Sequence, residues 1–171
     1  MAAALAPRFQ FQPLNRGELG VFLSHREAWR RLVDSDRPVA AVFEDDAVLA
    51  PQLGQLLAHS DLQTLPFDVL KLETGLRPVA LRRQAHRLGS HHVGHELMSW
   101  HGGTAGYVIT RAGAARLLGL TEPIADTVDQ AMFHPFSTIR RQLRVGQVIP
   151  APVIQRQRMP GTAAAVVVAS T

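Results

Sequence analysis

The 171-residue chain is 46% hydrophobic and 19% charged, which is the range of one globular domain large enough to fold without covalent staples. It contains no cysteine, which excludes thiol nucleophiles, disulfides and thiolate metal sites, so any metal must be held by oxygen or imidazole. The formal charge of +4 comes almost wholly from arginine, with Lys71 the one lysine; pairs such as Arg30-Arg31, Arg82-Arg83 and Arg140-Arg141 are scattered, and there is only one tyrosine. That pattern argues against nucleic-acid binding and leaves a mild attraction to anionic nucleotides or lipid surfaces.

In chain order, Met1 to Pro7 is apolar but lacks a basic n-region and a long apolar run, so it does not read as a signal peptide. No stretch approaches the ~20 apolar residues of a membrane span. Asn15 to Val33 reads as a helix, because Asn15 and Glu18 have the spacing of a capping box and Leu19, Phe22, Leu23, Trp29, Leu32 and Val33 recur at helical intervals. Asp34 to Pro38 turns the chain. Val39 to Phe43 is a wholly apolar run, as in a strand covered on both faces, and it stops at Glu44-Asp45-Asp46. A helix is expected from Pro51 to about Ala58 and a buried strand over Phe67 to Leu72. Arg77 to His92 reads as edge strands or a loop, Ala105 to Thr110 as a strand, Ala112 to Leu118 as a helix and Leu143 to Ile149 as a last strand. Alternating strands and helices predict an α/β layered domain; its expected bounds are residues 15–155, with an unstructured or remnant N-terminus over 1–14 and a flexible tail over 156–171.

Three adjacent carboxylates after an apolar strand repel one another unless a cation or basic partner lies nearby. In α/β folds ligands bind at the carboxyl ends of strands, which is where the triplet falls. Oxygen ligands suit Mg²⁺ or Mn²⁺, whose shells are completed by water and substrate phosphates. In an extended segment Glu44 and Asp46 would share one side and Asp45 the other. The competing reading is a solvated acidic turn.

Asn15-Arg16-Gly17-Glu18-Leu19-Gly20-Val21-Phe22-Leu23-Ser24-His25, Trp29 and Val39 to Asp46 together resemble glycosyltransferase family 25, the lipopolysaccharide-biosynthesis and collagen-galactosyltransferase group. The resemblance continues through Asp68 to Leu72, Gly103 to Ile109, Gly113-Ala114 with Leu117 and Leu118, and Val128 to Phe133, covering about Asn15 to Gln155. It implies a GT-A-like, Rossmann-like mixed sheet flanked by helices, a UDP-hexose donor, and Mn²⁺ or Mg²⁺ at the DxD-like triplet, with Asp46 as a ligand and Glu44 or Asp45 assisting. It further implies a saccharide or lipid-linked saccharide acceptor and a cytoplasmic protein in peripheral contact with the inner membrane. The family's opening βα unit has no room before the Gly-Glu helix, so the expectation is a chain lacking that unit, either a transferase of reduced activity or a non-catalytic remnant.

The same resemblance puts Ser24 and His25 near the diphosphate or metal, although a lone helical histidine is often structural. Asp129 matches the acceptor side of the pocket, where an inverting transfer needs a carboxylate base; a helix-dipole role competes, as does Asp126. Lys71 faces the nucleotide or snorkels at a strand end. Trp100 and Tyr107 are candidates to stack on a sugar or to fill the core. The spacing of His86, His91, His92, His95 and His101 does not match a closed zinc site.

Overall fold

The computed structural model describes residues 13–82, 85–94 and 97–160. Most of the expected N-terminal remnant, His95 and the tail from Gly161 lie outside the described residues.

The capped helix forms as α1, Arg16–Val33. The Asn15 side chain accepts from the Glu18 N–H at 2.9 Å, and Glu18 Oε2 accepts from the Asn15 N–H at 2.8 Å. The buried stripe differs from the apolar count. It runs through Phe22, His25, Trp29 and Leu32, while Leu19 and Leu23 are exposed. Steps of three and four residues keep a stripe on one face, and Leu23 lies about 100° around from Phe22.

The remaining elements are β1 (Val39–Phe43), β2 (Ala47–Leu49), α2 (Leu53–Leu57), β3 (Val69–Lys71), β4 (Glu73–Thr74), β5 (Ala85–Leu88), β6 (His91–Gly94), β7 (Gly106–Thr110), α3 (Arg111–Leu120), α4 (Val128–Phe133), β8 (Val145–Ile149) and β9 (Val153–Gln155). A six-stranded mixed sheet has the order β1-β7-β3-β8-β6-β5, with β3 and β8 parallel and the other neighbours antiparallel. A second sheet, β2-β9-β4, was not expected from the sequence. Arg156–Arg158, assigned to a flexible tail, form a 3-10 turn after β9, so the folded part extends beyond Gln155.

Side chains alternate along β3 and β7. Val69, Tyr107 and Ile109 meet α1, α3 and α4 residues such as Trp29, Leu117 and Phe133 in one core, while Leu70 and Val108 join Leu53, Leu56 and Val148 in the other. β1 feeds both cores but is only half-buried, with Ala41 exposed, because it lies at an edge of the sheet. Thr110 caps α3 by accepting from the Gly113 N–H at 3.0 Å. A Cβ at Gly113 would fall 2.6 Å from the Asp68 carbonyl oxygen, so this helix can approach the start of β3 only with glycine there. Among the described residues no helix is long and apolar enough to cross a membrane.

Buried His101 clips the two sheets together. Its Nε2 accepts from the Gly75 N–H at 3.1 Å, which leaves Nδ1–H to donate to Gln147 Oε1 at 3.0 Å, and Gln147 Nε2 donates to the Glu73 carbonyl at 3.1 Å. Burial, then the charge of Lys71, lowers the His101 pKa to about 4, against a raising hydrogen bond with Gln147. The unfolded chain therefore binds this proton first as pH falls. The clip's contribution is fully present above the ordinary histidine pKa and is lost as pH drops toward 4. Between pH 7 and 5 the loss should be on the order of 2 kcal/mol. Denaturant titrations at both pH values should show His101→Gln losing less stability than wild type; equal losses would rule out His101 as the responsible group.

Candidate functional site

The chain turns sharply after β1, and this turn sets the acidic triplet. Glu44 N–H still bonds the Ala105 carbonyl at 3.1 Å as a continuation of the β1–β7 ladder, while Asp45 and Asp46 form the turn into β2. The strict alternation expected of an extended segment therefore does not apply. The turn faces α1 across a cleft of about 600 Å³ whose lining includes Ser24, His25, Glu44, Asp45 and Asp46. Five of the expected site residues thus come together. Gly17 and Gly20 line the same cleft from the helix side, and a Cβ at Gly20 would meet nothing within 4 Å, so the protein leaves that space open.

Glu44 is held by the protein itself. Its Oε1 accepts from the Thr104 hydroxyl and lies 3.4 Å from His25 Nε2, and its Oε2 accepts from Gln155 Nε2 at 3.3 Å. Burial works to raise its pKa, but the hydrogen bonds from His25 and Thr104, the His25 field and Gln155 outweigh it, and the net direction is down. A basic partner for the triplet is thus present in the His25 imidazole. His25 is buried, its Nδ1 bonds the Tyr107 hydroxyl at 2.7 Å, and Trp29 Nε1–H donates to the same hydroxyl at 2.9 Å. With the Trp29 proton occupying one lone pair, Tyr107 O–H can donate to Nδ1, which directs Nε2–H at Glu44. Tyr107 is therefore core and cannot stack on a ligand.

Asp46 is in the opposite state. Its Oδ1 is enclosed without a hydrogen-bond partner, and burial, reinforced by Glu44 and Asp45, raises its pKa. Asp45 is exposed, and Ser24 Oγ bonds back to the Gly20 carbonyl at 3.0 Å. Among the described residues no three carboxylate or imidazole groups form a ready ligand set. The unpaired Asp46 oxygen with Asp45 beside it nevertheless suits an ion that takes one or two carboxylates and completes its shell from water and substrate.

Lys71 and Asp129 lie apart from this cleft. Lys71 is fully enclosed, bonded to Glu73 Oε2 at 3.1 Å and to the Gly103 carbonyl, with its ammonium 4.0 Å from the Phe133 ring centroid. It neither snorkels nor faces the cleft, and burial lowers its pKa against the raising influence of Glu73 and Asp129. Asp129 sits in the first turn of α4. Its Oδ1 accepts from Thr127 Oγ1 at 2.6 Å and from the Gln130 N–H at 2.9 Å, and its Oδ2 accepts from the Gly103 N–H at 3.1 Å. Of the remaining candidates, His86 and His92 are exposed while His101 is in the clip, so these histidines do not converge.

Glu73, Thr104, Gln155 and Arg158 were missed by the sequence reading. The Lys71-Leu72-Glu73 spacing was the available signal, since alternation puts Lys71 and Glu73 on one side of an extended chain. Glu73 Oε2 also accepts from the Ala105 N–H at 3.1 Å, and Oε1 lies 3.8 Å from Arg158. The loop above it needs glycine. Gly103 has φ 91°, and a Cβ there would fall 2.5 Å from the Glu73 carboxylate. On the far side of this loop is a second cleft of about 350 Å³, bordered by Arg77, Trp100, Gly102 and Arg158.

Residues 3–132 match the family model described as glycosyltransferase family 25 (LPS biosynthesis protein). The chain is 28% identical over 152 residues to the lipooligosaccharide biosynthesis protein lex-1 of Haemophilus influenzae, covering 83% of this chain and 50% of that protein. It is 32% identical over 159 residues to the lacto-N-neotetraose biosynthesis glycosyltransferase LgtE of Neisseria gonorrhoeae, covering 87% and 56%. It is 31% identical over 129 residues to procollagen galactosyltransferase 1-A of Xenopus laevis, covering 72% and 20%. The chain thus spans about half the length of the bacterial relatives.

The Trp29–Tyr107–His25 chain predicts the cost of removing its central hydroxyl. Tyr107→Phe leaves the Trp29 N–H and His25 Nδ1 buried without a partner, which costs about 1–3 kcal/mol per orphaned group. Urea denaturation should show the midpoint falling accordingly, and an unchanged midpoint would remove the hydroxyl from any role in fixing His25.

Proposed function

The chain belongs to glycosyltransferase family 25, and from that membership we propose that it transfers a hexose, galactose or glucose, from a UDP-sugar to a saccharide acceptor in lipopolysaccharide or cell-surface polysaccharide synthesis. The observation that carries this reading is the convergence of Ser24, His25, Glu44, Asp45 and Asp46 on one open cleft beside α1. The lipooligosaccharide relatives favour a lipid-linked acceptor, handled at the cytoplasmic face of the inner membrane.

In this reading Asp46 and Asp45 hold Mn²⁺ or Mg²⁺, and Glu44, fixed by His25, Thr104 and Gln155, keeps a negative charge at the rear of the site. When bound, the metal neutralises charge that develops on the departing diphosphate. The small residues Gly17, Gly20 and Ser24 leave room for the donor along the helix. The acceptor oxygen forms a bond to the anomeric carbon as the bond from that carbon to the diphosphate oxygen breaks, and the acceptor proton passes to Asp129. Because Thr127 and the Gln130 N–H occupy Oδ1, the Oδ2 atom, bonded only to the Gly103 N–H, is the better placed to receive it.

A second reading, a domain that binds ligand without turnover, is favoured by one observation: the oxygens of Glu44 already have protein partners.

Two measurements separate the readings. In calorimetry, UDP should bind roughly 10-fold more tightly with Mn²⁺ than without it, a gain that Asp46→Asn abolishes. Identical UDP affinity with and without Mn²⁺, and in the variant, excludes the metal site. In donor-turnover assays, Asp129→Asn should lower kcat roughly 100-fold while leaving the donor Kd within about twofold. Loss of donor affinity on the same scale would move Asp129 into the donor site, and donor binding by wild type with no turnover would favour the second reading.

A further inference from the structure

The second cleft carries features that the transfer step does not use. Trp100 is 42% exposed, whereas the other tryptophan, Trp29, is 0% exposed. Its ring is nevertheless held in place. A Cβ at Gly102 would fall 2.9 Å from it, so it lies close against the backbone, and it is tilted at 50° against His134 with centroids 5.0 Å apart. The same Gly102 Cβ would sit 3.4 Å from Asp129 Oδ2, so Trp100 and the proposed base flank one glycine.

The charge facing the cleft is positive. Beneath the lining, Glu73 is shared between enclosed Lys71 at 3.1 Å and Arg158 at 3.8 Å, and Asp129 lies close to Gly102. Arg158 and exposed Arg77 are the charged side chains that line the cleft. Arg77 is presented by a constrained turn: Leu76 has φ 54°, its N–H bonds Thr74 Oγ1 at 3.1 Å, and the preceding Gly75 N–H bonds His101. That backbone region is rarely occupied by a bulky residue.

We infer that this cleft binds an acidic saccharide as acceptor, with a sugar ring on the face of Trp100 and its carboxylate or phosphate between Arg77 and Arg158. The word acceptor rests on the transferase reading; the binding itself does not. A ring with a polar edge and an apolar face matches the exposed indole, and guanidinium groups match the geometry of a carboxylate or phosphate. A neutral saccharide leaves the positive surplus unmatched. An acceptor stacked on Trp100 also lies next to Asp129, which would set the direction from which its hydroxyl is presented.

Intrinsic fluorescence tests this directly, because enclosed Trp29 leaves Trp100 as the ligand-sensitive reporter. Glucose, glucuronic acid and glucose 6-phosphate are titrated into the whole chain, alone and with saturating UDP and Mn²⁺. At least one acidic probe should bind roughly 10-fold more tightly than glucose, and comparison of the two identifies the preferred anion. Arg158→Gln should reduce this preference severalfold. Because Arg158 also touches Glu73, Arg77→Gln on the exposed rim serves as an independent variant with the same expected loss. UDP with Mn²⁺ should not displace the acidic probe. Equal affinity for acidic and neutral probes, a preference that survives both substitutions, or displacement by UDP would each overturn the inference. If the preference stands while UDP and Mn²⁺ fail to bind, the acidic-saccharide site holds and the transferase reading is the one that fails.

Discussion

The buried ion pair between Lys71 and Glu73 is the interaction on which the arrangement of both clefts depends. Neither side chain has any exposed surface, and two charges in such a place persist only if their geometry and additional hydrogen bonds offset desolvation. Here the additional bonds come from one segment: the Gly103 carbonyl takes the ammonium, and the Ala105 N–H takes the carboxylate. The pair therefore fixes the path of the backbone from Gly103 to Ala105. Removing Glu73 would leave the Lys71 ammonium in the core without its paired carboxylate, at a cost of about 3–5 kcal/mol by analogy with other buried pairs.

That segment has functional groups on both of its sides. Thr104 holds Glu44 toward the first cleft, while the Gly103 N–H holds Asp129 beside the second. A residue with a side chain at Gly103 would strike the Glu73 carboxylate, so the path tolerates no bulk at its centre. Glu44 and the proposed base are consequently positioned from one short stretch of backbone, although they are 85 residues apart in sequence (129 − 44). Precise placement of reacting groups is what a transfer reaction with little other assistance requires.

Much of this was legible in the sequence where a long or repeated signal existed. Asn15 and Glu18 specified the start of α1, and the apolar run before Glu44 located a strand ending at the acids, though not the sharp turn that Asp45 and Asp46 form. What escaped was short or hidden. β2, β4 and β9 are two or three residues long, below the length at which alternation can be distinguished from chance, so the second sheet left no periodic trace. His25 was open to two readings because a helical pattern cannot say whether a polar residue on the buried face meets a ligand or a tyrosine hydroxyl. Glu73 gave only the alternation with Lys71 as a signal, because its other partners are backbone and side-chain groups distant in sequence. Trp100 and Tyr107 looked alike in local pattern, and only the packing of α1 against β7 separates the enclosed ring from the open one.

The end of the small sheet links the two clefts through the chain itself. Gln155 reaches Glu44 in one cleft, and Arg158, three residues later, borders the other. Three residues of backbone span at most about 10 Å, so the separation of these two anchor points is set by covalent length. The segment acts as a spacer bar between the two clefts, the proposed donor and acceptor compartments. Inserting or deleting one residue between Gln155 and Arg158 would slide one compartment past the other while leaving every lining residue chemically intact, a way to vary the reach of the site without altering its recognition chemistry.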